Sequence, residues 1–463
     1  MLTWHNILMN KLTLNNSLIL LIFASIIFFI SHQLILPLWH DELYQLWIIS
    51  KDFNSIIAIT REDPNYPLQS IIYKFLFDLV GIENYENLVF IHFFSLVIVL
   101  FSLFLLRKII SFEKIIMFAI ILFSSEFFLR FFFELRSYGF VFSWSVLFSS
   151  SYLLTKLRDE NFYFYLLLIS GLVLSALHAI AGLFVVTVML KLITETRHTL
   201  KRFFALALIF ISCSFVLIFS SGSVIGNNQF WIDSYFNHIR NTGAFMIPAI
   251  IAGFLILTEG KEKNFSKFLY DISPIIFSII IIFTYSILTS PIYQGRYFTT
   301  FFPFLSLFLI YHLHSKHFLI LKITSLFFVI VLYGPRAITP YTHLEGIIEN
   351  SHQAHCKGMP LFFENESGFD SEIKFKRIFD EIVYEASQQY YSDIKRPVYS
   401  AKDAIKWWNN NYKNNSCKVV GVTTRDIIPD LSTFLKEKNN FILSKKLVDG
   451  CNENNCGIIW YKN

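Results

Sequence analysis

The stretch at residues 38–69, LWHDELYQLWIISKDFNSIIAITREDPNYPLQ, decides how the rest of the chain is interpreted. It directly follows a long apolar run, and two adjacent carboxylates, Asp41 and Glu42, stand where that run ends. Arg61 and Asp63 precede the next apolar segment. Ionised side chains are costly inside a bilayer, so acidic residues at the end of an apolar run indicate a membrane boundary with a functional task.

Composition indicates the class of protein. Of 463 residues, 54% are hydrophobic and only 16% are charged, and 53 are phenylalanine. A water-soluble globule of this composition would have too little polar surface to cover itself. The net charge of +5 is mild, and Lys and Arg fall in short clusters between apolar runs, which indicates membrane topology rather than nucleic-acid binding. The sequence predicts a multi-pass integral membrane protein.

Apolar runs of sufficient length predict an all-α polytopic membrane domain of about 11 transmembrane helices over residues 1–336, with a long outer loop at 38–87. The first run lacks a clear cleavage site, which favours a retained helix over a signal peptide. Residues 161–190 are flanked by basic residues at both ends, which predicts a hairpin of two short legs with His178 at its tip. The predicted spans are 17–37, 88–106, 115–128, 139–155, the two legs within 161–190, 203–221, 242–258, 272–290, 297–315 and 317–334.

Residues 337–463 change in character and predict a small α/β domain. Apolar strand-like runs, MPLFF, VVGVTT and GIIWYK, alternate with a helical-looking stretch at 372–387. Assigning the basic loops to the cytoplasm places this domain outside the membrane, on the same face as the 38–87 loop. That compartment is oxidising, so its four cysteines favour two disulfides over free thiols, whereas Cys213 is interpreted as a buried apolar residue. The four are Cys356, Cys417, Cys451 and Cys456.

Polar residues collect at span ends on this predicted outer face, and they are the candidate site. A carboxylate there can act as a general base, and arginine can bind phosphate through two parallel hydrogen bonds. An acid beside several arginines at a lipid boundary favours a reaction on a lipid-linked phosphate. The candidates are Asp41, Glu42, Arg61, Asp63, Glu134, Arg136, Tyr138, His178, Tyr293, Arg296 and Tyr297.

Five motifs follow one another along the predicted membrane domain: WHDELY at 39–44, PNYPLQSIIYKF at 64–75, ELRSYGF at 134–140, LHAIAGLFVV at 177–186 and GRYFTTFFPFLSL at 295–307. In this order they resemble the GT-C superfamily of membrane glycosyltransferases, which contains the dolichyl-phosphate-mannose protein mannosyltransferases and the bacterial lipid A aminoarabinose transferases. The resemblance covers nearly all of residues 1–335 and is greatest to the bacterial branch that glycosylates lipopolysaccharide cores.

This resemblance implies the inverting transfer of one sugar from a polyprenyl-phosphate donor to a lipid, glycan or protein acceptor. It implies a periplasmic or lumenal site, in the bacterial branch at the inner membrane, with Asp41 in the position of the catalytic base. Residues 63–67 depart from the family pattern, because they lack its adjacent prolines and nearby His or Lys, which leaves the role of Arg61 open. The resemblance does not extend to the outer domain.

Each candidate has a structural alternative. Asp41 and Glu42 are also well placed to cap the helix that follows them, and Arg136 and Glu134 to form an ion pair. His178 is also explained as a turn residue bonded to backbone, and the tyrosines as an interfacial aromatic belt. No His/Asp spacing typical of a tight metal site occurs, so use of a divalent metal stays open. A transporter or flippase and an assembly scaffold are the alternative functions, and the sequence favours transport less because ionisable residues are scarce within the predicted spans.

Overall fold

The computed structural model describes residues 2–34, 40–62, 67–80, 89–158, 160–195, 202–211, 247–258, 262–288 and 295–337, together with five short strands beyond them. The chain forms two compact units. The first comprises Met1–Leu34 and Asp52–Ile338, and the second comprises Ile35–Lys51 and Thr339–Asn463. The sequence-based boundary at 336/337 lies two residues before the boundary at 338/339, and the division of the structure also groups Ile35–Lys51 with the second unit. A linear division of the sequence cannot show that a short stretch groups with the distant end of the chain.

The first part of the chain is a series of helices joined by short connections. They are α1 (Leu2–Leu34), α2 (His40–Ile49), α3 (Phe53–Glu62), α4 (Pro67–Val80), α5 (Val89–Leu106), α6 (Phe112–Phe123), α7 (Tyr138–Arg158), α8 (Asn161–Leu177) and α9 (Ala179–Glu195). A single π-helical turn, Phe127–Phe131, lies between α6 and α7.

The later helices have less regular ends. They are Arg202–Ile211, Ile247–Thr258, Glu262–Leu288, Phe302–His312 and Phe318–Phe327, with 3-10 turns at Gly295–Thr300 and Ser315–His317, a π-helical turn at Phe328–Tyr333 and a short helix at Gly334–Ala337. The helix that contains the predicted span at 272–290 begins earlier, at Glu262, and ends at Leu288.

Membrane character rests on three helical segments. Within the described residues, Asn16–Leu34, Phe265–Tyr285 and Ser315–Tyr333 are long and apolar enough to cross a bilayer. The apolar helices Ile91–Leu106 and Asn161–Leu177 are shorter. α8 and α9 contain 17 residues each, a rise of about 25 Å, slightly below the roughly 30 Å hydrocarbon core. The remaining predicted spans stay predictions.

Local interactions account for two of the helix boundaries. The carboxylate of Asp52 accepts the backbone N–H groups of Asn54 and Ser55, both at 3.0 Å, and so caps the start of α3. The Ser55 hydroxyl also bonds to it, and these hydrogen bonds lower the pKa of Asp52. α6 ends at Phe123, earlier than the predicted 128, where the Ser125 hydroxyl donates to the Leu122 carbonyl at 2.6 Å.

Aromatic packing joins the helices of the first unit. α7 packs against α5, α8 and the Phe302–His312 helix. The ring of Phe184, on α9, lies 5.2 Å from the ring of Phe301 and 5.3 Å from that of Phe304. Phe304 in turn lies 5.3 Å from Tyr152 on α7. Three helices therefore share one buried aromatic core.

The second unit contains a five-stranded sheet. Its strands are β1 (Leu361–Glu364), β2 (Val398–Ser400), β3 (Val419–Thr424), β4 (Phe441–Ser444) and β5 (Gly457–Lys462), in the order β2-β1-β3-β5-β4. β1 is parallel to β2 and β3, and β5 is antiparallel to β3 and β4. The predicted helix at 372–387 and all five cysteines lie outside the described residues, so the α/β class and the disulfides stay predictions.

Gly139 permits a close approach of two backbone segments at the start of α7. A Cβ atom at this position would lie 2.5 Å from the carbonyl oxygen of Phe132. We expect Gly139→Ala to lower the free energy of unfolding in detergent by about 2 kcal/mol, because a close-packed site cannot accept an added methyl group without strain. Thermal unfolding followed by tryptophan fluorescence measures this effect.

Gly253 provides the matched control. It also lies within a helix, but a Cβ there would meet its nearest neighbour, a Leu309 methyl group, at an ordinary 3.8 Å. We expect Gly253→Ala to leave the unfolding temperature unchanged or raised, since alanine favours helix over glycine. Equal destabilisation by both substitutions would contradict the role assigned to Gly139.

Candidate functional site

Six of the candidate residues lie together in the first unit, at three helix ends. One group follows the Phe127–Phe131 turn and leads into α7, a second lies at the junction of α8 and α9, and a third lies on the Gly295–Thr300 turn. We call this set the arginine cluster: Glu134, Arg136, Tyr138, His178, Arg296 and Tyr297.

Two guanidinium groups lie against the ring of Tyr138. The Cζ atom of Arg136 is 5.3 Å from the ring centroid, and that of Arg296 is 5.6 Å from it. Tyr138 is buried, as is the carboxyl group of Glu134, and electrostatic interactions join Tyr138 to Glu134 and Tyr297. Attraction between a cation and the face of an aromatic ring offsets part of the repulsion between the two like charges. The arrangement concentrates positive charge next to one buried carboxyl group.

His178 links α8 and α9. Its backbone N–H donates to the Leu174 carbonyl at 3.1 Å, and its Nδ1 accepts the Ile180 N–H at 3.2 Å. Its ring centroid lies 4.9 Å from that of Tyr297. Because Nδ1 is an acceptor, the neutral ring carries its proton on Nε2. Burial, with the nearby Arg296 and Arg136 charges, lowers the pKa of His178 to about 4.

Tyr73 forms a hydrogen bond to the backbone of the turn that carries Arg136, and it was not among the residues predicted for the site. Its hydroxyl donates to the Arg136 carbonyl at 2.6 Å, and its buried ring lies 5.1 Å from that of Phe140. Within the turn, the Arg136 N–H donates to the Glu134 carbonyl at 2.7 Å. The only sequence signal was its place in the PNYPLQSIIYKF segment. Tyr73 therefore connects α4 to the arginine cluster.

The acidic candidates of the 38–69 stretch are placed differently. Asp41 and Glu42 lie in α2, in the second unit, and the Glu42 side chain is buried. Arg61 lies in the last turn of α3, whereas Asp63 and Tyr293 lie outside the described residues. The arginine cluster belongs to the first unit, so the pairing of Asp41 with its guanidinium groups stays a prediction.

A second polar group lies at the opposite ends of the same helices. Asp271 receives Lys156 Nζ at 2.7 Å on one oxygen and His312 Nε2 at 2.8 Å on the other. Glu195 receives Lys156 at 3.2 Å and Lys191 at 3.7 Å. We call these five residues the lysine–carboxylate network. Sequence reasoning missed it because Asp271 was placed one residue before a span that in fact begins earlier.

The arginine cluster and the lysine–carboxylate network are separated by about the length of one helix. α7 carries Tyr138 at its start and Lys156 near its end, a rise of about 27 Å. α9 follows His178 and carries Lys191 and Glu195 in its last turns. This separation is close to the roughly 30 Å thickness of a hydrocarbon core. The arginine cluster and the lysine–carboxylate network therefore lie at opposite ends of α7 and α9.

No family model, no curated protein and no solved structure matches this chain. Within the described residues, no group of three or more His, Cys, Asp or Glu side chains is arranged to hold a metal ion. The chemistry of the arginine cluster follows from its own residues. Their chemistry is that of anion binding by two guanidinium groups, beside a neutral imidazole and a buried carboxyl group.

The lowered pKa of His178 predicts a pH dependence of stability. Between its folded pKa of about 4 and the usual value of about 6.5, the unfolded chain binds a proton that the folded chain excludes. Neutral His178 therefore contributes about 3 kcal/mol to the free energy of unfolding above about pH 6.5. This contribution is lost progressively as the pH falls from about 6.5 toward 4. We expect the unfolding temperature in detergent to fall between about pH 7 and about pH 5, and His178→Gln to reduce that fall.

His314→Gln is the control for this experiment, because His314 is exposed and lies at the other end of the unit. We expect this variant to keep the pH dependence of the unaltered chain. If His178→Gln and His314→Gln gave the same profile as the unaltered chain, His178 would not be the titrating group.

Proposed function

We propose that this protein is an inverting membrane glycosyltransferase that moves one sugar from a polyprenyl-phosphate donor to a lipid, glycan or protein acceptor. The observation that carries the proposal is the convergence of Arg136 and Arg296 on Tyr138 at one end of an apolar helical unit. A phosphate attached to a lipid lies at the membrane boundary, where this end of the unit would meet it.

The arginine cluster suits a phosphate leaving group. Guanidinium groups keep their charge at any physiological pH and present paired N–H donors that match phosphate oxygens. Neutral His178 adds an Nε2–H donor without adding a third positive charge. In transfer, the bond between the anomeric carbon and the phosphate oxygen breaks, and the negative charge that develops on that oxygen is stabilised by Arg136 and Arg296.

Asp41 supplies the base in this proposal, with Glu42 beside it. The Asp41 carboxylate takes the proton of the acceptor hydroxyl or amine while the acceptor atom bonds to the anomeric carbon from the face opposite the phosphate. That geometry inverts the anomeric configuration. Arg61, Asp63, Glu134, Tyr138 and Tyr297 are proposed to contact the substrates. α2 carries Asp41 in the second unit, so this role rests on the motif resemblance and on its position next to α1 in the chain.

The proposed topology follows the distribution of basic residues. Lys156 and Lys191 lie at the end remote from the arginine cluster, which favours placing that end in the cytoplasm. The arginine cluster then faces the periplasm of a bacterial inner membrane. About eleven spans, and an extracytoplasmic α/β domain at residues 337–463, complete the proposed architecture.

A transporter or flippase is the second candidate, and one observation favours it. Asp271 lies within the apolar segment Phe265–Tyr285 and bonds to Lys156 and His312. Ionisable residues inside transmembrane helices often mark ion or substrate pathways. The two candidates differ in outcome, because a transferase leaves a covalent product and a transporter moves its substrate unchanged.

Asp41→Asn tests the proposed base. We expect transfer to fall by roughly 1,000-fold, since an amide cannot accept the acceptor proton. Mass spectrometry of lipids and glycans from cells carrying the unaltered gene, the variant or no gene measures the product. Asp78→Asn, the same change in an exposed ion pair with Lys74, serves as the control. Unchanged products in Asp41→Asn cells, with normal insertion, would refute the assignment, and vesicle uptake without a covalent product would favour transport.

Arg296→Lys tests phosphate binding separately. Lysine keeps the positive charge but loses the paired donors, so we expect product formation to fall by roughly 100-fold. Arg107→Lys, at an exposed position after α5, is the matched control and is expected to retain full activity. Full activity in Arg296→Lys would show that the paired guanidinium donors are not needed.

A further inference from the structure

Pro274 lies inside the continuous Glu262–Leu288 helix, within the segment Phe265–Tyr285 that is long and apolar enough to cross a bilayer. Proline has no backbone N–H, so the carbonyl four residues earlier, that of Tyr270, loses its helical donor. The Nζ atom of Lys191, on α9, donates to this carbonyl and also lies 3.3 Å from the Ser273 hydroxyl. A side chain of a neighbouring helix thus replaces the hydrogen bond that the proline removes.

Charged contacts hold the part of the helix before the proline, Phe265–Ser273, which we call the arm. α7 contributes Lys156 to Asp271, and the Phe302–His312 helix contributes His312 to the other oxygen of that carboxylate. α9 contributes Lys191, whose ammonium also lies 4.0 Å from the Tyr270 ring centroid. Three neighbouring helices are therefore bonded to the arm through ionic or charge-assisted hydrogen bonds.

After the proline the contacts are neutral. The Ser278 hydroxyl donates to the Pro274 carbonyl at 2.8 Å, and Thr187 Oγ1 lies 3.2 Å from the same carbonyl and 2.9 Å from Ser278 Oγ. The helix is thus bonded to its neighbours by charged groups before the proline and by neutral hydroxyl groups after it. Neutral hydroxyl contacts exchange partners at lower cost than a buried ion pair, whose separation leaves uncompensated charge.

We propose that Pro274 is a hinge and that the lysine–carboxylate network is the lock that holds the arm closed against its neighbours. Lys191 joins the hinge to the lock, because it donates to the Tyr270 carbonyl that the proline leaves without a helical donor and also pairs with Glu195. When the lock opens, the arm swings about Pro274 while the helix beyond the proline stays packed. The inference stands whether the protein transfers a sugar or transports a substrate, because it concerns the opposite end from the arginine cluster.

A static scaffold is the competing explanation, and it makes a different prediction. If the network only adds stability, removing Lys191 weakens the whole unit, and the effect does not depend on residue 274. If Lys191 replaces the hinge hydrogen bond, the two positions are coupled. The substitution Pro274→Ala restores the backbone N–H to the Tyr270 carbonyl and makes part of the lysine's contribution redundant.

The test is a double-mutant cycle on Lys191→Met and Pro274→Ala, using the full chain in detergent micelles. Hydrogen–deuterium exchange read by mass spectrometry follows the amides of the arm and, for comparison, those of α8. We expect Lys191→Met alone to speed exchange of the arm by roughly 10-fold or more while α8 is unchanged, and by less than about 3-fold in the Pro274→Ala background. Lys74→Met removes a lysine from an exposed pair and is the control, with no effect on the arm.

Two outcomes would overturn the proposal. One is an equal effect of Lys191→Met in the unaltered chain and in the Pro274→Ala background, and the other is faster exchange spread evenly over the arm and α8. If Lys191→Met does not fold, Pro274→Ala alone tests the hinge. The restored backbone hydrogen bond to the Tyr270 carbonyl is then expected to slow amide exchange in the arm. Unchanged or faster exchange in Pro274→Ala refutes the hinge. None of these measurements uses transfer or transport, so their failure is separable from failure of the proposed function.

Discussion

The cost of placing charge in an apolar medium organises the first unit. The charged groups of the arginine cluster and of the lysine–carboxylate network lie near helix ends, in contact with opposite charges or aromatic faces. α7 shows the pattern within one helix: Tyr138 contacts two guanidinium groups at its start, and Lys156 bonds to two carboxylates near its end. The same requirement produces both the arginine cluster and the lysine–carboxylate network.

The sequence predicted those features that depend on one run of residues. The apolar run at 88–106 corresponds to α5 within one residue, and the charge-free run at 161–190 divides at His178, inside the predicted turn. Arg136 and Arg296, both among the polar residues predicted at span ends, are far apart in sequence and lie against one aromatic ring. Charge and hydropathy constrain the ends of helices because water and lipid differ so much as solvents.

Features that depend on a partner from another helix could not be predicted from one sequence. From the sequence Asp271 resembles a residue of a polar loop, but in the structure it lies inside the Glu262–Leu288 helix with Lys156 and His312 on its two carboxylate oxygens. In the sequence Tyr73 is one aromatic residue among many, and only the structure shows that its hydroxyl donates a hydrogen bond to the Arg136 carbonyl. The grouping of Ile35–Lys51 with the C-terminal residues is likewise a tertiary property.

The two polar groups are connected by the same aromatic core, and this limits which element can move. Phe184 on α9 contacts Phe301 and Phe304, and Phe304 contacts Tyr152 on α7, so these helices shift only together because close-packed interiors resist partial displacement. The arm before Pro274 is attached to them by the ionic contacts of its polar end. Motion about the proline would therefore open one end of the unit while the guanidinium groups at the other end kept their positions around Tyr138. The ionic contacts of the arm with α7 and the Phe302–His312 helix lie at the ends of those helices remote from Tyr138, so motion of the arm does not involve the contacts that hold Arg136 and Arg296 against Tyr138.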